Sequence, residues 1–286
     1  MNSIAKAATF NAPNIDQSDL YDREFHEWLK SNPGGTFSQY SVQDIVNKLK
    51  QGGKHHTLGA KLHGVEWSKS GLPFYKRLRR LADTPRYARI CDYGCGSLRI
   101  GVHYIKQHNA GCYYGLDVTR DFIDQGVELA GDILHKRRAQ VGTISQDLEK
   151  AVKFDADLLF AANLVSHVHP EEIETFYANI KRIVHRPNGV ILLHVVEHPF
   201  MVRYQKSGWA WPLDFFDKKM QPFQRVETDF LRYFHKAGYF MNGYILVYKR
   251  PSASVSLTKN MAHFAKDKYR EHKYRRKLQL QARTQD

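Results

Sequence analysis

Two periods of hydrophobic placement divide this chain of 286 residues into three parts. Residues 86–250 alternate short apolar runs with helical stripes, the pattern of a doubly wound α/β sheet. The runs predict strands at Ala88–Tyr93, Cys112–Leu116, Gln140–Ile144, Ala156–Ala161, Val190–Val196 and Tyr244–Lys249. The clearest helix between them carries Ile173, Phe176, Ile180, Ile183 and Val184 on one stripe. Pro170 suits its first position, Glu171 and Glu172 complement its dipole, and Pro187-Asn188-Gly189 ends it. Residues 1–85 carry helical stripes without alternation and predict a helical N-terminal cap. Leu20, Phe25, Trp28 and Leu29 precede a stop at Asn32-Pro33-Gly34-Gly35. Val42, Ile45, Val46 and Leu49 follow a capping Ser41, and a third helix, Leu72–Leu81, is begun by Pro73.

The stretch from Glu197 to Thr228 breaks the alternation with Trp209, Trp211, Phe215, Phe216 and Phe223 among three prolines. An insertion of this length suits a lid or substrate wall, with an aromatic cluster packed on the sheet edge as the alternative. Residues 251–286 form a basic tail, helical or disordered.

Candidate chemistry concentrates after the first strand. Residues 89–101 run Arg-Ile-Cys-Asp-Tyr-Gly-Cys-Gly-Ser-Leu-Arg-Ile-Gly, and a second strand ends at Asp117. Gly94 and Gly96 permit a sharp turn with close backbone approach to a ligand. A carboxylate closing the second strand accepts bonds from ribose hydroxyls. The next glycine is Gly101, so the Gly-x-Gly-x-x-Gly spacing of dinucleotide sites is absent.

This Asp-x-Gly-x-Gly form resembles motif I of class I S-adenosylmethionine-dependent methyltransferases, and the resemblance covers residues 86–250. It implies a Rossmann-like fold, S-adenosyl-L-methionine as cofactor, and transfer of its methyl group. It also implies that Asp92 orients the glycine loop or the cofactor amino group, that Gly94 and Gly96 let the methionine part of the cofactor pass, and that Tyr93, Cys95 and Leu98 belong to the cofactor site. Asp117 would bind the ribose, Val118 lie beneath the adenine, and Asp147, beside Leu148, meet the adenine amino group. Asn163 follows the fourth strand, where family members line the sulfonium and the acceptor. Neither Pro-Pro-Tyr after Asn163 nor a Pro-Cys motif is present, so the signatures of base amino-methylation and pyrimidine carbon-5 chemistry are missing.

His167 and His169 lie just past the fourth strand, where a base would serve a hydroxyl acceptor. His194, Glu197 and His198 are second candidates, and the spacing of these histidines does not suggest a metal site. From the cap, Tyr40, Lys54, His55 and Gly59 are placed to reach the cofactor. The expected acceptor is an oxygen or nitrogen of a small molecule or glycan-like compound. The alternatives are an RNA or protein methyltransferase and a non-catalytic cofactor-binding partner subunit.

Charge is the compositional outlier, at +14 net. Nine Lys/Arg against Asp267 and Glu271 lie between Lys259 and Arg283. Such a run is either a solvated tail or a contact for nucleic acid or an anionic surface. Cys91, Cys95 and Cys112 are sparse and unpaired in spacing, and no signal-like or membrane-spanning apolar stretch is present, so a cytoplasmic setting is expected.

Overall fold

The apolar runs become strands of one sheet. The computed structural model describes residues 15–52 and 66–251; Lys54, His55, Gly59 and the tail beyond Pro251 lie outside them. The chain opens with α1 (Ile15–Ser31), α2 (Phe37–Ser41), α3 (Gln43–Lys50) and α4 (Trp67–Leu81). It continues with β1 (Ile90–Tyr93), α5 (Gly101–Gln107), β2 (Tyr113–Asp117), α6 (Arg120–Ala130), α7 (Ile133–Lys136), β3 (Gln140–Thr143) and α8 (Ile144–Phe154). After β4 (Leu158–Ala161) come α9 (Ile173–Ile183), β5 (Val190–Glu197), β6 (Val202–Gln205), β7 (Gly208–Ala210) and α10 (Leu213–Met220). A long hairpin, β8 (Gln224–Lys236) and β9 (Tyr239–Lys249), ends the described chain.

The sheet order is β3-β2-β1-β4-β5-β9-β8, and only β9 runs against the others. β1 therefore has β2 on one side and β4 on the other, which makes the gap above β1 and β4 the topological switch point. Both faces of the sheet are covered. Cys91, Tyr93, Tyr114, Leu116, Leu159 and Leu193 point into one core, under α8, α9 and α10. Ile90, Tyr113, Leu158, Phe160 and Leu192 point into the other, under α4 and α5. The period-2 alternation of side chains thus splits an unbroken apolar run between two cores. Asp92 shares the face of Ile90.

Phe25 of α1 and Phe37 of α2 enter the first core. Glu172 clasps the start of α2, accepting from the Phe37 amide and from Ser38 Oγ. This changes two expectations for the stripe after Pro170. That segment is a turn, the helix starts at Ile173, and Glu172 holds a distant element rather than serving only the dipole. Pro73 likewise sits inside α4, which starts at Trp67, and the Trp67 indole ties that start to the glycine turn by donating to the Ser97 carbonyl at 2.9 Å. Ser41 ends α2 instead of capping the next helix.

Trp209, Trp211, Phe216 and Phe223 are buried in the main core. They fill it rather than lining a lid. The same insertion supplies β6 and β7, an antiparallel pair that Arg203 pins to α1 through a bidentate bond to Asp22 at 2.8 and 3.0 Å. No helix among the described residues is long and apolar enough to cross a membrane.

Two helical glycines hold the loop after β1. A Cβ on Gly126 of α6 would lie 2.6 Å from the Ser97 carbonyl, and one on Gly71 of α4 would strike the Arg99 carbonyl. Gly126→Ala should therefore destabilise the protein by about 1–3 kcal/mol through overpacking. Helix propensity alone favours alanine by up to about 1 kcal/mol, so the sign of the change isolates the contact. A calorimetric Tm equal to or above that of the parent protein would show that α6 shifts at no cost.

Candidate functional site

A cavity of about 280 Å3 opens at the switch point, above the C-terminal ends of β1, β2 and β4. From the glycine turn it takes Asp92, Gly94, Cys95, Gly96, Ser97 and Arg99, and from the end of β2 it takes Asp117 and Val118. The loop after β4 contributes Ala162, Asn163, Leu164 and His167. Ser38, Ser41, Val42 and Ile45 of the N-terminal helices form a further wall. An open groove of about 440 Å3 adjoins it, sharing Val42 and Val118 and lined also by Trp28, Gln43 and Thr119.

The turn is built from backbone that only certain residues tolerate. Gly94 has φ +84°, and the space its Cβ would take is filled by Leu164, 2.7 Å away. Its bareness therefore admits the loop after β4 at the edge of the cavity that Gly94 lines. Gly96 has φ +52°, and its amide donates to Asp117 Oδ2 at 2.7 Å. Asp117 Oδ1 accepts from the Val118 amide at 2.8 Å. Burial raises the Asp117 pKa to about 6, against the opposing pull of the Gly96, Val118 and Thr119 amides. A carboxylate has about four acceptor positions, and three amides claim most of them. Asp117 is thus a brace for the loop as well as a candidate ribose acceptor.

Asp92 is more deeply withdrawn. Burial lifts its pKa to about 8, opposed by the Tyr113 hydroxyl that donates to Oδ2 at 2.9 Å. Arg99 is near enough to lower the Asp92 pKa, yet no ion pair joins them. A buried acid of this kind stays protonated at neutral pH until a cation arrives.

On the opposite wall, His167 ends a 3-10 turn, Val165–His167. Its Nδ1 lies 2.5 Å from the Ser207 carbonyl in the β6–β7 turn. A carbonyl only accepts, so Nδ1 carries the proton and Nε2 holds the free lone pair. Burial, its largest influence, lowers the His167 pKa and keeps the ring neutral. Asn163 sits at φ +55°, its amide donating to His194 Nδ1 at 3.1 Å. Burial pushes the His194 pKa down to about 4, which preserves that lone pair.

Eight of the residues expected from the sequence meet in the cavity: Asp92, Gly94, Cys95, Gly96, Asp117, Val118, Asn163 and His167. The others lie behind it. Tyr93 is buried with its hydroxyl bonded by Asn179, and Leu98 is buried at φ +63°. Asp147 turns back to the Thr143 amide and to Lys150, and Leu148 packs on the core. His194 positions Asn163, His169 stacks on Phe37 with centroids 4.5 Å apart, Glu197 binds Asn242, and His198 bonds the Phe200 backbone. Tyr40 packs among Tyr21, Phe25 and Trp28. Among the described residues no three His, Cys, Asp or Glu side chains gather as metal ligands. Sequence reasoning missed Arg99, Ser207 and the wall from α2 and α3. Only Arg99 carried a local signal, as a charge within the motif.

No family model matches the sequence, nor does any curated protein. Solved structures do share the fold. The [4+2]-cyclase SpnF aligns with a TM-score of 0.52 at 12% identity, over 75% of this chain and 95% of its own. The 1,6-didemethyltoxoflavin-N1-methyltransferase of Burkholderia thailandensis, solved with bound 1,6-didemethyltoxoflavin and S-adenosylhomocysteine, aligns at 0.50 with 14% identity, over 77% and 92%. A TehB-like SAM-dependent methyltransferase from Corynebacterium glutamicum is 20% identical over 75% of this chain and 98% of its own, at a TM-score of 0.42. The fold is the Rossmann-like one of the first two of these proteins, and their names attach more than one reaction to it.

Proposed function

We propose that this protein transfers the methyl group of S-adenosyl-L-methionine to an oxygen or nitrogen of a small-molecule or glycan-like acceptor. One observation carries the reading: a single cavity at the switch point brings together the buried acid Asp92, the Gly96–Asp117 brace and a neutral His167. A dinucleotide would need the third glycine of its fingerprint, which this turn lacks. The Burkholderia enzyme of the same fold is named as an N1-methyltransferase and holds 1,6-didemethyltoxoflavin and S-adenosylhomocysteine.

The residues suit the cofactor in sequence. Asp92, raised toward neutrality by burial, takes the α-ammonium, Asp117 takes the ribose, and Val118 supports the base beside the adjoining groove. When bound, the cofactor supplies a methyl group already activated for in-line attack. The protein then has to align the acceptor and exclude water. His167 Nε2 accepts the acceptor proton, and Asn163 with Leu164 shapes the side from which the acceptor approaches. The run between Lys259 and Arg283 supports a second reading, a polyanionic acceptor such as RNA, whose binding would weaken steeply with salt.

Calorimetric titration with S-adenosylhomocysteine tests the first reading, with a nicotinamide dinucleotide as the negative control. Binding of an ammonium should expel the proton of Asp92, whose pKa is about 8 in the free protein. Affinity should accordingly rise between about pH 6 and 8, by up to about tenfold per unit, with net proton release seen as buffer-dependent heat. A flat profile would place the ammonium away from Asp92.

A further inference from the structure

Three cations stand around the β6–β7 turn, each on an aromatic ring. Lys206 lies over Tyr21 at 5.5 Å, Arg232 over Phe234 at 5.2 Å and Lys236 over Tyr204 at 5.8 Å. The Phe234 and Tyr204 rings meet edge to face, 6.2 Å apart, so the tip of the β8–β9 hairpin leans on β6. Lys236 Nζ also donates to Gln205 Oε1 at 2.5 Å, a neutral partner. Asp22, the carboxylate that reaches this hairpin, is taken by Arg203, and among the described residues none of the three cations forms an ion pair. An aromatic face holds a cation in place and leaves its charge open to a further partner.

Their field reaches the cavity. Ser207, next to Lys206, lines it together with His167 and Asn163. Lys236 is near enough to His167, and Arg232 to His194, to add to the burial that lowers the pKa of each ring. That field opposes the chemistry proposed for His167. Once Nε2 takes the acceptor's proton, the ring is a cation in a buried wall. A carboxylate behind a histidine base steadies it at that moment, but Nδ1 here faces the Ser207 carbonyl. A negative charge between these cations and the imidazole would turn repulsion into attraction, and no described carboxylate supplies it. The acceptor is then the source. We infer that the acceptor carries a phosphate or carboxylate group, which Lys236, Arg232 and Lys206 hold at the β6–β7 turn while its hydroxyl or amine meets His167. The inference rests on the methyl-transfer reading and narrows its acceptor to an anionic small molecule.

The test reads the His167 ring by nitrogen-15 NMR on the full chain, with inorganic phosphate and succinate as probes at matched ionic strength. At least one probe should raise the His167 pKa toward the ordinary value near 6.5, and the more effective of the two names the group. Lys236→Met should itself raise that pKa in the probe-free protein, since it removes a repulsive charge. Combined with Arg232→Met, it should weaken the effective probe about 2- to 25-fold, the product of two exposed ion pairs, and silence the His167 response. The exchange Lys236→Arg with Arg232→Lys should keep the response. A ring that ignores both probes overturns the inference, as does a response that survives the double methionine variant. So does a ring that answers only to an RNA oligonucleotide, which would mark a polymeric acceptor instead. Each measurement is made with and without S-adenosylhomocysteine. A protein that binds this ligand and shows no anion response loses the inference alone. One that answers phosphate or succinate and never binds S-adenosylhomocysteine loses the methyl-transfer reading, and with it the identity of the anion as an acceptor.

Discussion

Replacing His167 with alanine should lower methyl transfer to a hydroxyl acceptor by about 10²–10⁴-fold, the usual worth of a positioned base. Affinity for S-adenosylhomocysteine should stay at the parent value, because His167 stands on the wall away from the Asp92 and Asp117 carboxylates. The argument depends on the tautomer. Ser207 offers only a carbonyl, so the ring proton is held on Nδ1 and the lone pair of Nε2 is committed to neither neighbour. Burial lowers the His167 pKa, so the base form survives as pH falls through the ordinary histidine range near 6.5. The acid limb of the turnover profile should lie below that range. Nitrogen-15 NMR of the His167 ring gives an independent check, since it reports which nitrogen carries the proton. Turnover in His167→Ala equal to the parent value, measured on any acceptor the parent methylates, would reduce His167 to a packing residue.

Asp117→Ala should act on binding and on folding together. Losing a charge-assisted bond to the ribose should weaken S-adenosylhomocysteine about 10- to 150-fold. The same change strips acceptors from the half-buried amides of Gly96 and Val118, and a group left unsatisfied costs up to about 1–3 kcal/mol. A fall in thermal stability should therefore accompany the loss of affinity, and the cofactor-free protein should show it. Unchanged stability with lost affinity would mean that water replaces the carboxylate brace. Retained affinity would take Asp117 out of the site.

The parts of this site that could be read from the sequence are those encoded within a few residues of one another. Asp92, Gly94, Gly96 and Asp117 announce a strand, a turn and a strand-end acid, and the structure brings them to one cavity. Ser38, Ser41, Val42 and Ile45 arrive from α2, α3 and the residue joining them, about fifty residues before the glycine turn, and Ser207 from the turn of the β6–β7 hairpin. No periodicity records such meetings, because they depend on how helices lie over the sheet. Strand β8 escaped for a different reason. It sits at the sheet edge with no clean inward face, and register shifts between Arg225 and Glu227 and between Phe230 and Arg232 exchange its faces partway along. A period of two cannot survive two such interruptions. The aromatic run from Trp209 to Phe223 misled in the opposite direction, since its rings serve the core between α9, α10 and the sheet.

A redesign of the acceptor side cannot leave the N-terminal helix alone. The carbonyl that holds His167 belongs to the turn of a hairpin whose other anchor is the bond between Arg203 and Asp22 of α1. Exchanging that hairpin for a loop from another protein would free α1 from its tether and disturb the seat of Phe25 in the core. Changing Asp22 would in turn loosen the hairpin and let the imidazole rotate. Selectivity for the acceptor and packing of the first helix are therefore one inheritable unit, and a graft that succeeds will need to carry both.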